Sequence, residues 1–393
     1  MKQTKYQIAI AIAVTTIFLS ACKKDTGFQS PESSDDANTT TANSALRRGE
    51  FGQGHVYLLS NQVAGNKVLD YTRSSDGTLT LSGSWPTGDN GTGAGLGSQG
   101  AIIIAGDGNE GESKVLLAVN AGSNTISSLK VKGNGLKLIS TISSGGARPI
   151  SITQFDDMVY VLNAGGDGNI SGFRLGENGS LRAIANSTRP LTTTNSGPAE
   201  IAFIREGNVL AITEKATNTI TTYTVGKSGL PGTMHTLASA NQTPFGFAAG
   251  YDKIYVTEAA GGAPGASTVS SYRIQENGTI SLITGPVSAG QTAACWAVVT
   301  NNYKYVYAAN TGSGTISSFG VSNSGSISVN AAVAASAGTG PADAALSHDS
   351  KFLYVRNGGS SSISVYAVSG NGSLTNVQTI TGLEAGTVGI SAD

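Results

Sequence analysis

Tyr305-Val-Tyr-Ala-Ala-Asn310, Thr311-Gly-Ser-Gly314 and Thr315-Ile-Ser-Ser-Phe-Gly-Val321 follow one another without a gap. The outer two segments alternate apolar with small or polar residues at a period of two. The middle one is built of the residues that tight turns require. Together they describe two antiparallel strands joined by a turn. Moving outward, Asn323-Ser-Gly325 signals a second turn into Ser326-Ile-Ser-Val329, and Gly340-Pro341 opens a fourth apolar stretch. Four strands in antiparallel order make one sheet that cannot bury both faces alone.

The opening phrase recurs along the chain. Its other copies are Val56-Tyr-Leu-Leu-Ser-Asn61, Val115-Leu-Leu-Ala-Val-Asn120, Met158-Val-Tyr-Val-Leu-Asn163, Val209-Leu-Ala-Ile-Thr-Glu214, Lys253-Ile-Tyr-Val-Thr-Glu258 and Phe352-Leu-Tyr-Val-Arg-Asn357. The period of about 50 residues marks one supersecondary unit repeated. A third-strand phrase follows each copy, as in Ile220-Thr-Thr-Tyr223 and Ile363-Ser-Val-Tyr366, and a hairpin signal follows that, as at Asn277-Gly278 and Asn371-Gly372. The fold class is therefore all-β, a seven-bladed β-propeller of four-stranded antiparallel blades over residues 55–393. The chain enters in mid-blade at His55 and leaves on Gly386-Thr-Val-Gly-Ile-Ser-Ala392, which matches the first strand of the other units. The C-terminal strand is thus expected to complete blade one and remove the open edges. A solenoid would need capping repeats at both ends, and none is evident.

Residues 1–22 read as an export signal: Lys2 and Lys5 precede an apolar run from Ile8 to Leu19, too short to span a bilayer comfortably. The run closes on Leu19-Ser20-Ala21-Cys22, which resembles a bacterial lipoprotein lipobox, so Cys22 is the expected lipidation site. Acyl chains on that thiol, at about 0.8 kcal/mol per buried CH₂, would hold the protein to a membrane. Residues 23–54 are polar and lack apolar periodicity, as in a disordered tether with a reach on the order of 30 Å. The expected location is the bacterial cell envelope, on its periplasmic or surface side.

Beyond Cys22, Cys295 is the only thiol, so no internal disulfide can form. Charged residues make up 12% of the chain and the net charge is −1, without the basic footprint of a nucleic-acid binder. The expected partners are the membrane, through the lipid, and a small polar ligand or an envelope protein met by a monomer.

In a propeller the innermost strand starts on the face where the second strand ends. Two recurring positions therefore ring one mouth of the central channel. One is the last residue of the opening phrase; the other lies two residues past the Pro that introduces the inner strand, giving Ser151, Glu200, Gly246 and Asp343. Trp296 takes that place in blade six, where the Pro is missing. The mouth is expected to collect Glu200, Glu214, Glu258 and Asp343, with Asn163, Asn310 and Asn357 around them. Such a ring suits a divalent cation, a polyol, or an acid–base pair whose pKa values are raised by like charges. The structural alternative is that these Asn and Glu side chains bond the backbone of the following turn.

The repeat resembles the seven-bladed lactonase family, which includes 6-phosphogluconolactonases and carboxymuconate lactonizing enzymes. Its local matches are Gly197-Pro-Ala-Glu-Ile-Ala-Phe203 with Ile212-Thr-Glu214, and Pro341-Ala-Asp343 with Leu353-Tyr-Val-Arg-Asn357-Gly358. The resemblance implies a catalytic role for Glu214 and Asp343, with Glu200 beside them. It also implies departures: the family's Arg and His stand here as Ala199 and Glu200, the Arg after Asn357 is Gly358, and the blade-three His pair is replaced around Ile150 and Ser151. Lactone opening needs a base for water and donors for the developing oxyanion, and a phosphosugar needs a cationic partner. With those donors missing, the expected function is a membrane-tethered module that binds a ligand or partner through Glu258, Trp296, Asn163, Asn310 and Asn357. The alternative is a divergent lactone or carboxylic-ester hydrolase with Glu214 as general base.

Overall fold

The structure is a computed structural model and describes residues 54–106, 114–133 and 135–393. The expected signal peptide, Cys22 and nearly all of the expected tether lie outside the described residues. Seven antiparallel sheets are arranged around a central channel, and consecutive inner strands pack against one another in ring order. The second strands are buried along their length because both faces are covered by neighbouring blades: all six residues of Val115–Asn120, Val209–Glu214 and Phe352–Asn357 are buried, the polar ones at their ends included. Fully burying each Val, Leu or Ile contributes about 1.5–3 kcal/mol. The outermost strands alternate between exposed and half-buried residues, as sheets wetted on one face do.

Ring closure follows the expected route. Val388–Ala392 pairs antiparallel with Gly54–Leu59, bringing Ala392 opposite Val56 and Val388 opposite Leu59. Blade three departs from the four-strand plan, since its outer strand is broken into Leu181–Ala183 and Arg189–Pro190, both paired with Asn169–Leu175. Between the pieces, Ser187 Oγ accepts the Gly172 N–H at 3.0 Å and Ile184 N–H donates to Gly172 O at 2.9 Å. A side-chain hydroxyl replaces the ladder bond there.

The hairpin glycines do two jobs. Gly372 has φ +79°, which only glycine adopts cheaply, and a Cβ there would lie 2.5 Å from the Tyr305 ring of blade six. Its carbonyl accepts the Tyr307 hydroxyl at 3.0 Å, and the Tyr160 hydroxyl reaches Gly229 O in the same way at 2.6 Å. The turn of one blade thus plugs into the preceding blade. The recurring aromatic of the second strand is what receives it.

Candidate functional site

The upper mouth of the channel is where inner strands begin and second strands end. Here one register repeats: Pro198 opposes Glu214, which opposes Thr219; Pro244, Glu258 and Thr268 do the same, as do Pro341, Asn357 and Ser362. It sets the last residue of the opening phrase beside hydroxyls on the third strand. Asn310 Nδ2 donates to Thr315 Oγ1 and Ser317 Oγ, and Asn357 Nδ2 to Ser362 Oγ and Ser364 Oγ. Asn163 bridges Ser144 O and Asn169 Oδ1. The expected ligand-binding asparagines therefore face into the blades and brace the turn between strands.

The two glutamates in this series are braces of the same kind with reversed polarity. Glu214 Oε2 accepts the Thr192 N–H at 3.2 Å and hydroxyl at 2.5 Å, while Oε1 accepts the Thr221 hydroxyl at 2.6 Å. Glu258 accepts five bonds: Ser239 Oγ, Asn241 N and Tyr272 Oη at Oε1, and Thr268 Oγ1 and Ser270 Oγ at Oε2. Both side chains are fully buried. Their charge is met by donors, as buried carboxylates require.

Glu200 and Asp343 stand elsewhere, on inner strands. Both line a cavity of about 370 Å³ in the channel, walled by Ile102, Ile152, Ile201, Ala344 and Ile390 among others. Glu214 does not line it. The inner strands share a clip between blades: Ser151 Oγ accepts the Ile201 N–H of the next blade at 3.2 Å, and Glu200 Oε2 accepts the Phe247 N–H at 2.5 Å. Asp343 Oδ1 accepts its neighbour's Ala344 N–H at 2.8 Å, and the Ile390 N–H of blade one helps hold its charge. Asp343 Oδ2 has no hydrogen-bond partner among the described residues.

Burial dominates the titration of both acids. It pushes Glu200 well above the ordinary carboxylate range, opposed by the Phe247 N–H and reinforced by the charge of Asp343. It pushes Asp343 up to about 7, against the pull of the Arg356 guanidinium. Arg356, one place before Asn357, is itself held by Ala342 O at 2.8 Å.

Blade five breaks the clip, since Gly246 has no side chain. A Cβ there would lie 2.3 Å from Gln99 Oε1, because Gln99, from a connecting segment outside the blade, fills the vacancy. Gln99 belongs to Gly91-Thr-Gly-Ala-Gly-Leu-Gly-Ser-Gln-Gly100, which connects blades one and two. This segment crosses the upper mouth as a plug. Gln99 N–H donates to Ala199 O, Ile152 N–H to Gly100 O, Ser98 Oγ to Ile150 O, and Lys215 Nζ to Gly97 O and Pro198 O. Trp296 supports it from beneath: its indole N–H donates to Ser98 O at 3.2 Å and its ring packs on Phe245 at 5.0 Å. Trp296 is only 2% exposed and is spent on the plug.

Gln99, Lys215 and the plug were not marked in the sequence. The available signal was a glycine-rich connection longer than the turns that join the other strands. The sequence alone does not say where such a connection lies.

A family model described as lactonase, 7-bladed beta-propeller, matches residues 233–345 and 329–384. No curated protein matches the chain by sequence. Among solved structures, a candidate 6-phosphogluconolactonase of Bacteroides fragilis is similar at TM-score 0.66 and 17% identity, over 86% of this chain and 98% of its own. The periplasmic gluconolactonase PpgL of Pseudomonas aeruginosa is similar at TM-score 0.65 and 13% identity, over 86% and 98%. A Lactobacillus plantarum protein is similar at TM-score 0.67 and 16% identity, over 87% and 99%. At these identities the likeness is one of fold.

Proposed function

We propose that this lactonase-like propeller is a ligand-binding module of the cell envelope, tethered by a lipidated Cys22, and that it does not hydrolyse lactones. The observation that carries this reading is the state of Glu214. A general base must offer a lone pair to a water in the substrate pocket. Here both oxygens accept hydrogen bonds from Thr192 and Thr221, and the side chain is fully buried away from the channel cavity. The plug over the upper mouth supports the same reading, because it covers the face on which the resemblance locates the chemistry.

A second reading, a divergent lactone or ester hydrolase, draws support from Glu200 and Asp343. Two buried carboxyls with raised pKa values can divide the roles of acid and base. The deciding experiment is hydrolysis of a panel of aldonolactones by the intact protein, beside Glu214→Gln and Asp343→Asn variants. The binding reading expects no turnover from any of the three. Turnover abolished by either substitution would replace it with the hydrolase.

A further inference from the structure

We infer that the channel is a blind pocket, closed above by Gln99 and entered from the lower mouth, and that it takes a small primary ammonium between Glu200 and Asp343. This names the ligand class of the site proposed above and rests on that reading.

The direction of entry follows from burial. In blades one, three, six and seven the inner strand is more buried near the plug than toward its far end. Ile150 is 1% exposed and Gln154 is half-buried; Asp343 is 1% exposed and Leu346 is half-buried. Ile390 is likewise buried, whereas Ser391 and Ala392 are half-buried. Gln99 and Gly100 line the cavity at its upper end. No described segment crosses the lower one.

The ligand class follows from what the clip leaves over. Joining one blade to the next takes a single acceptor, as Ser151 shows with a neutral hydroxyl. A carboxylate in the same role costs desolvation that the clip does not require. Among the described residues Glu200 and Asp343 nevertheless are the only charged side chains lining the cavity, and the buried Oδ2 of Asp343 lacks a partner there. The one cation acting on either carboxyl is Arg356, while Lys215 is bonded into the plug above. Once the pH is high enough to ionise both raised carboxyls, two carboxylates beside one guanidinium leave a single negative charge. A monocation balances that charge. A hard divalent cation would want about six to eight oxygen ligands, and no group of three or more His, Cys, Asp or Glu side chains converges among the described residues.

The test is calorimetric titration of the intact protein with butylammonium, with isosteric neutral 1-butanol as the comparison. Butylammonium is expected to bind at least ten-fold more tightly than the alcohol, and more tightly at pH 8 than at pH 5 as the carboxyls ionise. Glu200→Gln and Asp343→Asn should each weaken it about ten-fold or more. Ser391→Trp, which narrows the lower mouth and leaves both acids in place, should weaken it also, so the result does not depend on the acid variants folding. Equal affinity for amine and alcohol, or amine binding that survives all three substitutions, overturns the inference. Lactone turnover would overturn the binding reading of the previous section and is measured independently.

Discussion

Gln99 and Ala297 are joined by two hydrogen bonds: Gln99 Nε2 donates to Ala297 O at 2.8 Å, and the Ala297 N–H donates to Gln99 Oε1 at 3.1 Å. A side-chain amide from the plug satisfies both backbone groups of an inner-strand residue in blade six. The slot it uses exists because Gly246 leaves it empty. Gln99→Ala should therefore destabilise the fold by about 1–3 kcal/mol, since it strands buried backbone groups. Gly246→Ser in the native background should also destabilise, through contact with Gln99 Oε1 and with Cys295 O, which would lie 2.9 Å from the new Cβ. Combined with Gln99→Ala, the serine should recover stability by supplying the hydroxyl that Ser151 supplies in blade three. A double-mutant cycle by urea denaturation should give a favourable coupling of roughly 1 kcal/mol or more.

The plug is expected to be a fixed part of the fold. Lys215 Nζ bonds Gly97 O and Pro198 O at 2.8 Å each and sits 4.4 Å from the Phe245 ring centroid. Lys215→Met keeps the stem and removes the donors. It should cost about 1–2 kcal/mol and raise hydrogen exchange across residues 91–100 while leaving the outer strands protected. Equal exchange in both proteins would mean that the lysine does not hold the plug.

Glu258 is expected to matter to stability far more than an exposed acid would. Glu258→Ala leaves four hydroxyls and the Asn241 N–H without their acceptor, a loss of roughly 3–5 kcal/mol. Asn310→Ala, which gives up two bonds to hydroxyls, should cost about 1–2 kcal/mol. Thermal melting of the two variants side by side checks the order.

The protein should be more stable at pH 5 than at pH 8. Asp343 rises from 3.8 to about 7 on folding and Glu200 rises well above 4.5. Between those limits the folded state holds protons that the unfolded chain has released, so stability falls as pH rises. For Asp343 the loss is on the order of 3–4 kcal/mol. Asp343→Asn should flatten the profile between pH 4 and 7. His55, raised by its bond to Asp70, gives a change of the same sign, present below about 6.5 and lost as pH climbs through its folded value. His55→Gln would separate the two.

Lipidation is testable in cells. Incorporation of labelled palmitate into the full-length chain should be lost in Cys22→Ala, and the variant should leave the membrane fraction. Retained label would remove the anchor from the proposal.

The repeat, the strand order and the route of closure were legible because they depend on local signals repeated seven times: period-two alternation, turn residues and one recurring phrase. The broken outer strand of blade three was less visible, since Ser187 replaces a ladder bond with a side chain that could equally sit in a loop. Residue types at the mouth were also legible, but not their directions. Glu200 and Glu214 lie on adjacent strands of one sheet, yet one lines the channel and the other faces hydroxyls within the blade.

By itself, then, the sequence determined a closed ring of seven sheets, since each blade's pattern is complete within about 50 residues. The tertiary structure alone decided which acids share a cavity, which are braces, and that Gln99 fills the vacancy at Gly246. Those outcomes depend on packing between blades far apart in the chain, and no local periodicity encodes them.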